Sequence, residues 1–271
     1  MSNLTLFFAI IAFVASSTIA IVIHEEDGDI ETRIIKGYYP EQKDVGFTAG
    51  VMLHFEEETG WCGGVLISDK YVLSSAHCLR KAPAATVVLN ATNIHQFEKV
   101  VIPVVQILLH PKFKKGSYKN DIALLRLQRP VKIDDNIYPI RLPKKSEKKK
   151  SYKKSKAVVA GWGRDGTNEI IPATQLMGVN LTVISNFDCW VKYPAYIKDT
   201  NICTSSSKGT PCEGDDGGPL FINETDGLPT LIGVTSYQFS LGCTSLWPAV
   251  YTRVSYYLDW ITENANIAMR E

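Results

Sequence analysis

Runs of Val, Ile, Leu, Tyr and Thr recur along the chain, each three to nine residues long and broken by Gly, Pro, Asn, Asp or Lys. They fall at Gly64–Ile67, Tyr71–Leu73, Thr86–Leu89, Val100–Leu108, Ile122–Leu127 and Ala157–Ala160. Further runs fall at Met177–Val183, Pro229–Ser236 and Ala249–Val254. Such runs are too short for helices, and their β-branched content suits a pleated surface. Many of them at close spacing predict an all-β barrel or sandwich. No internal repeat of fixed period is visible. One helix is expected, at the C-terminus. Val254, Tyr257, Leu258 and Ile261 lie at helical spacing there, with Ser255 placed to cap them.

The N-terminal pattern differs. Leu4–Ala15 is almost wholly apolar, and small residues follow up to Ala20. This reads as a secretory signal peptide over residues 1–20, although it lacks the usual basic start; the competing reading is a membrane anchor. Residues 21–33 are acidic and end in Arg33, before Ile34-Ile35-Lys36-Gly37. They read as a pro-segment with an activation cleavage at Arg33. Residues 1–33 carry one Arg and five acids, so the remaining 238 residues carry 28 basic and 23 acidic side chains. The whole chain of 271 residues is near neutral at +1, and its remainder after Arg33 is mildly basic at +5. At 45% hydrophobic and 21% charged, the composition excludes a disordered chain, a collagen or a coiled coil. No later segment is long and apolar enough to span a bilayer.

A secreted chain meets an oxidising compartment, so the six Cys are expected to pair. Sequons at Asn90, Asn180 and Asn223 become candidate glycosylation sites for the same reason. Lys144–Lys156 holds eight Lys and one Glu. Like charges at this density repel one another and stay solvated, so the stretch reads as a surface loop linking two β units. It is also a candidate polybasic site for heparin-like glycans, anionic lipid or an acidic protein.

Three motifs carry the chemistry. Ser74-Ser75-Ala76-His77-Cys78 follows a predicted strand, Asp121-Ile122-Ala123-Leu124-Leu125 comes 44 residues after His77, and Gly214-Asp215-Asp216-Gly217-Gly218-Pro219 lies in the last quarter. Each is weak alone. In this order, with Arg33-Ile34, Gly63-Gly64, Ala160-Gly161-Trp162-Gly163 and Pro248-Ala249-Val250-Tyr251-Thr252, the chain resembles the chymotrypsin/trypsin family of serine proteases from about Ile34 onward. The resemblance implies two six-stranded antiparallel β-barrels with a C-terminal helix, in one protease-like domain over residues 34–271. It implies the disulfides Cys62–Cys78, Cys189–Cys203 and Cys212–Cys243, where counting alone allows 15 pairings.

The resemblance also assigns roles. His77 is the general base, Asp121 orients it, and Ser236 supports Asp121. The backbone N–H groups of Gly214 and Asp216 form the oxyanion hole. Cleavage at Arg33 frees the Ile34 α-amino group to pair with Asp215. Thr210, Gln238 and Ala249 line the specificity pocket: Thr210 is neutral, against a preference for Arg or Lys, and Gln238 and Ala249 replace glycines that keep the pocket open. Lys36 departs from the usual Gly of the inserted strand.

The largest departure is Asp216, which stands where the family motif has its nucleophilic Ser. A carboxylate has no proton for His77 to remove, and its attack on an amide would give a labile anhydride. Its charge also sits where the oxyanion should develop. The expected ground state is a His77–Asp216 ion pair with the His pKa raised. The chain is therefore expected to bind without cutting: a secreted, monomeric protease homologue serving as cofactor, decoy or inhibitor toward extracellular protease-cascade components or inhibitors. Saliva, venom, gut fluid or haemolymph would suit such a protein. Two alternatives remain open: an active digestive or toxin-like hydrolase that uses Asp216, and a binder of anionic glycans or surfaces through Lys144–Lys156. No cofactor or metal is expected, because His24, His54, His95 and His110 are scattered and the Leu89–Glu98 loop offers few carboxylates for calcium. No nucleotide fingerprint or nucleic-acid motif is present.

Overall fold

The computed structural model describes residues 37–164, 172–238 and 246–271. The segments read as signal peptide and pro-segment, with Arg33 and Ile34, lie outside the described residues.

Twelve strands form two closed antiparallel barrels. The first contains β1 (Thr48–His54), β2 (Thr59–Leu66), β3 (Tyr71–Ser74), β4 (Ala84–Leu89), β5 (Val100–Leu109) and β6 (Ala123–Leu127), in the order β1-β2-β3-β6-β5-β4. The second contains β7 (Lys156–Gly161), β8 (Met177–Ile184), β9 (Asn201–Thr204), β10 (Pro219–Asn223), β11 (Pro229–Tyr237) and β12 (Ala249–Arg253), in the order β10-β11-β12-β9-β8-β7. Among the described residues, closure leaves no long unpaired edge. Register shifts at Val104/Gln106 and Thr235/Tyr237 mark bulges, which bend strands around small barrels.

One hydrophobic cluster fills the first barrel and crosses the seam, and a second fills the interior of the second barrel. Phe47, fully buried just before β1, packs edge-on against Phe221 of β10 at 5.0 Å. Trp61 of β2 meets Trp162, just after β7, at 5.9 Å. Side chains from both barrels therefore fill one seam, and groups on facing loops are held in register.

The nine strands read from the sequence are all present. The three it missed are β1, β9 and β10. β1 carries Ala49 and Gly50 inside an otherwise short apolar run, and β9 and β10 are only four and five residues long. Two short helices were also missed, α1 (Ala76–Leu79) and α2 (Asn186–Lys192). α2 did carry a signal. Ser185 accepts a hydrogen bond from the Asp188 N–H while the Asp188 carboxylate reaches back to Ser185, a capping box. The terminal helix α3 (Leu258–Ala265) follows a 3₁₀ turn over Val254–Tyr256, and Tyr257 occupies the cap position. Ser255 does not cap it; its hydroxyl donates to the Lys148 carbonyl at 3.3 Å, so a tertiary contact claimed that side chain.

The lysine-rich connector is exposed but well anchored. Tyr152 is buried within it, and Arg253 donates to the Lys150 carbonyl at 2.8 Å. Among the described residues, no helix is long and apolar enough to cross a membrane.

Because Phe47 fills the seam completely, Phe47→Ala is expected to cost about 3–5 kcal/mol of unfolding free energy by chemical denaturation. A loss below about 1 kcal/mol would show that the seam repacks.

Candidate active site

The three motifs converge at the mouth of the seam. His77 sits in α1 directly after β3, and the Cys62–Cys78 disulfide ties α1 to β2. Asp121 precedes β6 and is fully buried. Its Oδ1 accepts the His77 backbone N–H at 2.7 Å, and its Oδ2 lies 2.8 Å from His77 Nδ1. The second barrel completes the cage. The Ser236 hydroxyl on β11 donates to Asp121 Oδ2 at 2.5 Å, and Thr252 on β12 donates to the Asp121 carbonyl at 2.7 Å.

On the other side of the imidazole stands Asp216, with Oδ2 3.5 Å from His77 Nε2. His77 thus lies between two carboxylates. Burial alone would lower its pKa. The hydrogen bonds and charges of Asp121 and Asp216 outweigh that penalty and push it up to about 10. The Asp216 carboxyl sits above its ordinary range because of burial, with His77 pulling the other way. The side chain is still 35% exposed, so the pair is open to solvent on one side.

Backbone geometry holds Asp216 in place. The Gly63 N–H donates to the Asp216 carbonyl at 2.7 Å, and the Gly218 N–H donates to the Asp215 carbonyl at 2.9 Å. Gly217 adopts φ +87°, where a Cβ would strike Ser74 Oγ and the Gly63 carbonyl, so the turn demands glycine. Among the described residues, the N–H groups of Gly214 and Asp216 make no hydrogen bond, which leaves both as donors for an acceptor.

Asp215 points away into the core, with zero exposure. It accepts the Gly163 N–H at 2.7 Å and the Cys212 N–H at 2.8 Å. A Cβ on Gly161 or Gly163 would run into its carboxylate. No cation among the described residues pairs with it. Burial, only partly offset by the two N–H donors, pushes its pKa up to about 7.

The expected pocket residues meet. Thr210, buried, donates from Oγ1 to Gln238 Oε1 at 2.6 Å, and Ala249 on β12 is buried as well. Gln238 therefore reaches inward to Thr210 rather than standing only at the mouth. Sequence reading missed the aromatic wall. Tyr118, at φ +48°, packs edge-on against His77 at 5.4 Å and tilts over Tyr237 at 4.8 Å. The only hint was the position of Tyr237 beside Ser236.

Cys189–Cys203 is formed, and Cys212 is disulfide-bonded, while Cys243 lies outside the described residues. Of the sequons, Asn180 and Asn223 are exposed on strands, whereas the Asn90 amide donates to the Glu98 carbonyl at 2.9 Å. Of the scattered histidines, His24 lies outside the described residues, His54 bonds Thr86, and His110 packs between Tyr257 and Trp260.

Two closed antiparallel barrels with a His–Asp–Ser236 network at their seam define a protease-like class of fold and site. Comparison makes the class specific. The Trypsin family model matches residues 34–261. Collagenase of Hypoderma lineatum is 35% identical over 240 residues, covering 88% of this chain and 89% of that protein. Duodenase-1 of Bos taurus is 37% identical, covering 84% and 88%, and brachyurin of Leptuca pugilator is 35% identical, covering 79% and 91%. A solved structure of HL collagenase superposes with a TM-score of 0.79 at 34% identity, over 87% of this chain and all of that one. The chain belongs to the trypsin family of serine proteases.

Two titrations follow from this electrostatics. The His77 imidazole is expected to stay protonated through neutral pH, with an NMR midpoint near 10; a midpoint below 7 would contradict the double carboxylate clamp. Because its folded pKa is raised, its stabilising contribution is complete below about 6.5 and is lost as pH rises toward 10. Asp215 also has a raised folded pKa, so the full-length chain should lose stability as pH rises from about 4 to about 7. One proton contributes at most about 1.4 kcal/mol per pH unit. Denaturant midpoints measured across this range, compared with Asp215→Asn, would show whether the slope comes from this carboxyl.

Proposed function

We propose that this chain is a secreted, non-catalytic member of its family that acts by binding, as cofactor, decoy or inhibitor toward extracellular proteases or their inhibitors. The observation that carries the reading is Asp216 in ion-pair contact with His77, at the position the family motif reserves for the serine hydroxyl. A protonated imidazole cannot accept a proton from a nucleophile or water, and the carboxylate has none to give. Loss of a nucleophile in such a site lowers turnover on the order of a million-fold. The Thr210–Gln238 hydrogen bond adds a second obstacle, because it occupies space that a substrate side chain would need. What remains is a protease-shaped surface available for binding.

The same reading includes processing. Cleavage after Arg33 would free an α-ammonium group at Ile34, and Asp215 is a buried carboxylate that such a cation would stabilise. The two disulfides formed in full among the described residues support an extracellular setting. N-terminal sequencing of the natural protein tests the cleavage: Ile34 as first residue supports it, and a chain that begins before Arg33 overturns it.

The chain is expected to resist labelling by a fluorophosphonate and to leave peptide esters and amides intact. Asp216→Ser should restore labelling, and adding Gln238→Gly should raise turnover of an ester substrate by about tenfold or more. Hydrolysis by the purified chain that disappears in Asp216→Ala would overturn the binding-only reading in favour of a hydrolase that uses the carboxylate.

A further inference from the structure

We propose that the lysine-rich connector and the outward face of α2 together form a docking surface for an anionic phospholipid bilayer. The connector presents its charge from a fixed frame. Tyr152 is 3% exposed, the Lys150 and Lys148 carbonyls accept from Arg253 and Ser255, and the Lys154 N–H donates to the Val183 carbonyl at 2.9 Å. The backbone is thus tied inward, and the ammonium groups project outward. Three of them meet carboxylates: Lys148–Asp259 at 2.8 Å, Lys150–Glu147 at 2.6 Å and Lys153–Asp188 at 4.0 Å. These exposed pairs are weak and can exchange partners. Among the described residues, Lys144, Lys145, Lys149, Lys154 and Lys156 lie beside no carboxylate oxygen within 4.0 Å.

The charge deepens into a cavity of about 530 Å³ lined by Lys148, Lys149, Lys153 and Arg253, with Asp199 as its one carboxylate residue. Arg253 is only 6% exposed. Its guanidinium donates to the carbonyls of Asp199, Asn201 and Lys150 and to Asn186 Oδ1, so oxygen dipoles, not a paired carboxylate, hold this cation in place. A phosphate headgroup at the cavity mouth would meet a preorganised positive field.

Asn186 and Ser185 line the same cavity, and α2 rises from them. Phe187, Trp190 and Val191, at i, i+3 and i+4, share one face of α2 and are 71%, 47% and 57% exposed. The Phe187 and Trp190 rings stack at 6.3 Å. Apolar rings beside a cationic array match the boundary between headgroups and acyl chains. A sulfated glycan would satisfy the lysines but leave this apolar face in water. A second copy would cover the face but bring two lysine arrays together.

The test is partition of the full chain onto vesicles of phosphatidylcholine, with and without about one third phosphatidylserine. Binding is expected to be at least about tenfold stronger on the anionic vesicles and to weaken in 0.5 M salt, roughly the range where surface charges are screened. The Trp190 contribution to fluorescence should shift to the blue. Phe187→Ser with Trp190→Ser, and separately Lys145→Gln with Lys149→Gln, should each reduce partition about tenfold, with circular dichroism unchanged. Several results would overturn the proposal. They are no preference for anionic vesicles, partition unaffected by the aromatic variant, retention on heparin without vesicle binding, or self-association through Phe187 and Trp190 without vesicle binding.

Discussion

The arrangement depends on a single buried carboxylate. Asp121 lies at the junction of the barrels with no exposure, and both barrels satisfy it: His77 from one side, Ser236 and Thr252 from the other. An unpaired charge at this depth would be strongly destabilising, so the cage must be complete whenever the molecule is folded. The orientation of the imidazole is one consequence. Another is that the seam cannot slide, because Phe47 against Phe221 and Trp61 against Trp162 close it around the same point.

On this frame, the acid at position 216 adds a second carboxylate to the imidazole's surroundings. The turn keeps its glycine at 217 and its bonds to Gly63 and Gly218, and His77 keeps its bond to Asp121. A neutral hydroxyl would leave the imidazole free to take up a proton near neutral pH; a second carboxylate holds that proton on the ring. Asp215, one residue earlier, shows the opposite case: a carboxylate enclosed by N–H dipoles with no cation among the described residues, so that burial drives it toward its neutral form. Two neighbouring acids thus have different fates, set by what surrounds them.

The connector illustrates how position converts composition into a surface. Lysine density by itself requires only solvation. The buried Tyr152 and the carbonyl bonds from Arg253 and Ser255 give those lysines a common direction, and α2 places aromatic rings beside them. None of these three contacts is local in sequence.

By itself, the sequence determined the fold class, nine of the twelve strands and the triad of motifs, because β-branched apolar runs and motif residues are local signals. It also pointed to Asp216 and to the pairing of Cys62 with Cys78 and Cys189 with Cys203 through the likeness of those motifs to a family. It did not determine β1, β9 or β10, which are short or interrupted by small residues and are paired as strands by barrel closure. It misplaced the role of Ser255, which a distant carbonyl claimed. Tertiary structure alone decided that Gln238 bonds Thr210, that Tyr118 folds over His77, and that Arg253 faces the lysines. These are contacts between residues 28 to 103 positions apart, and only closure of both barrels brings such groups within reach of each other.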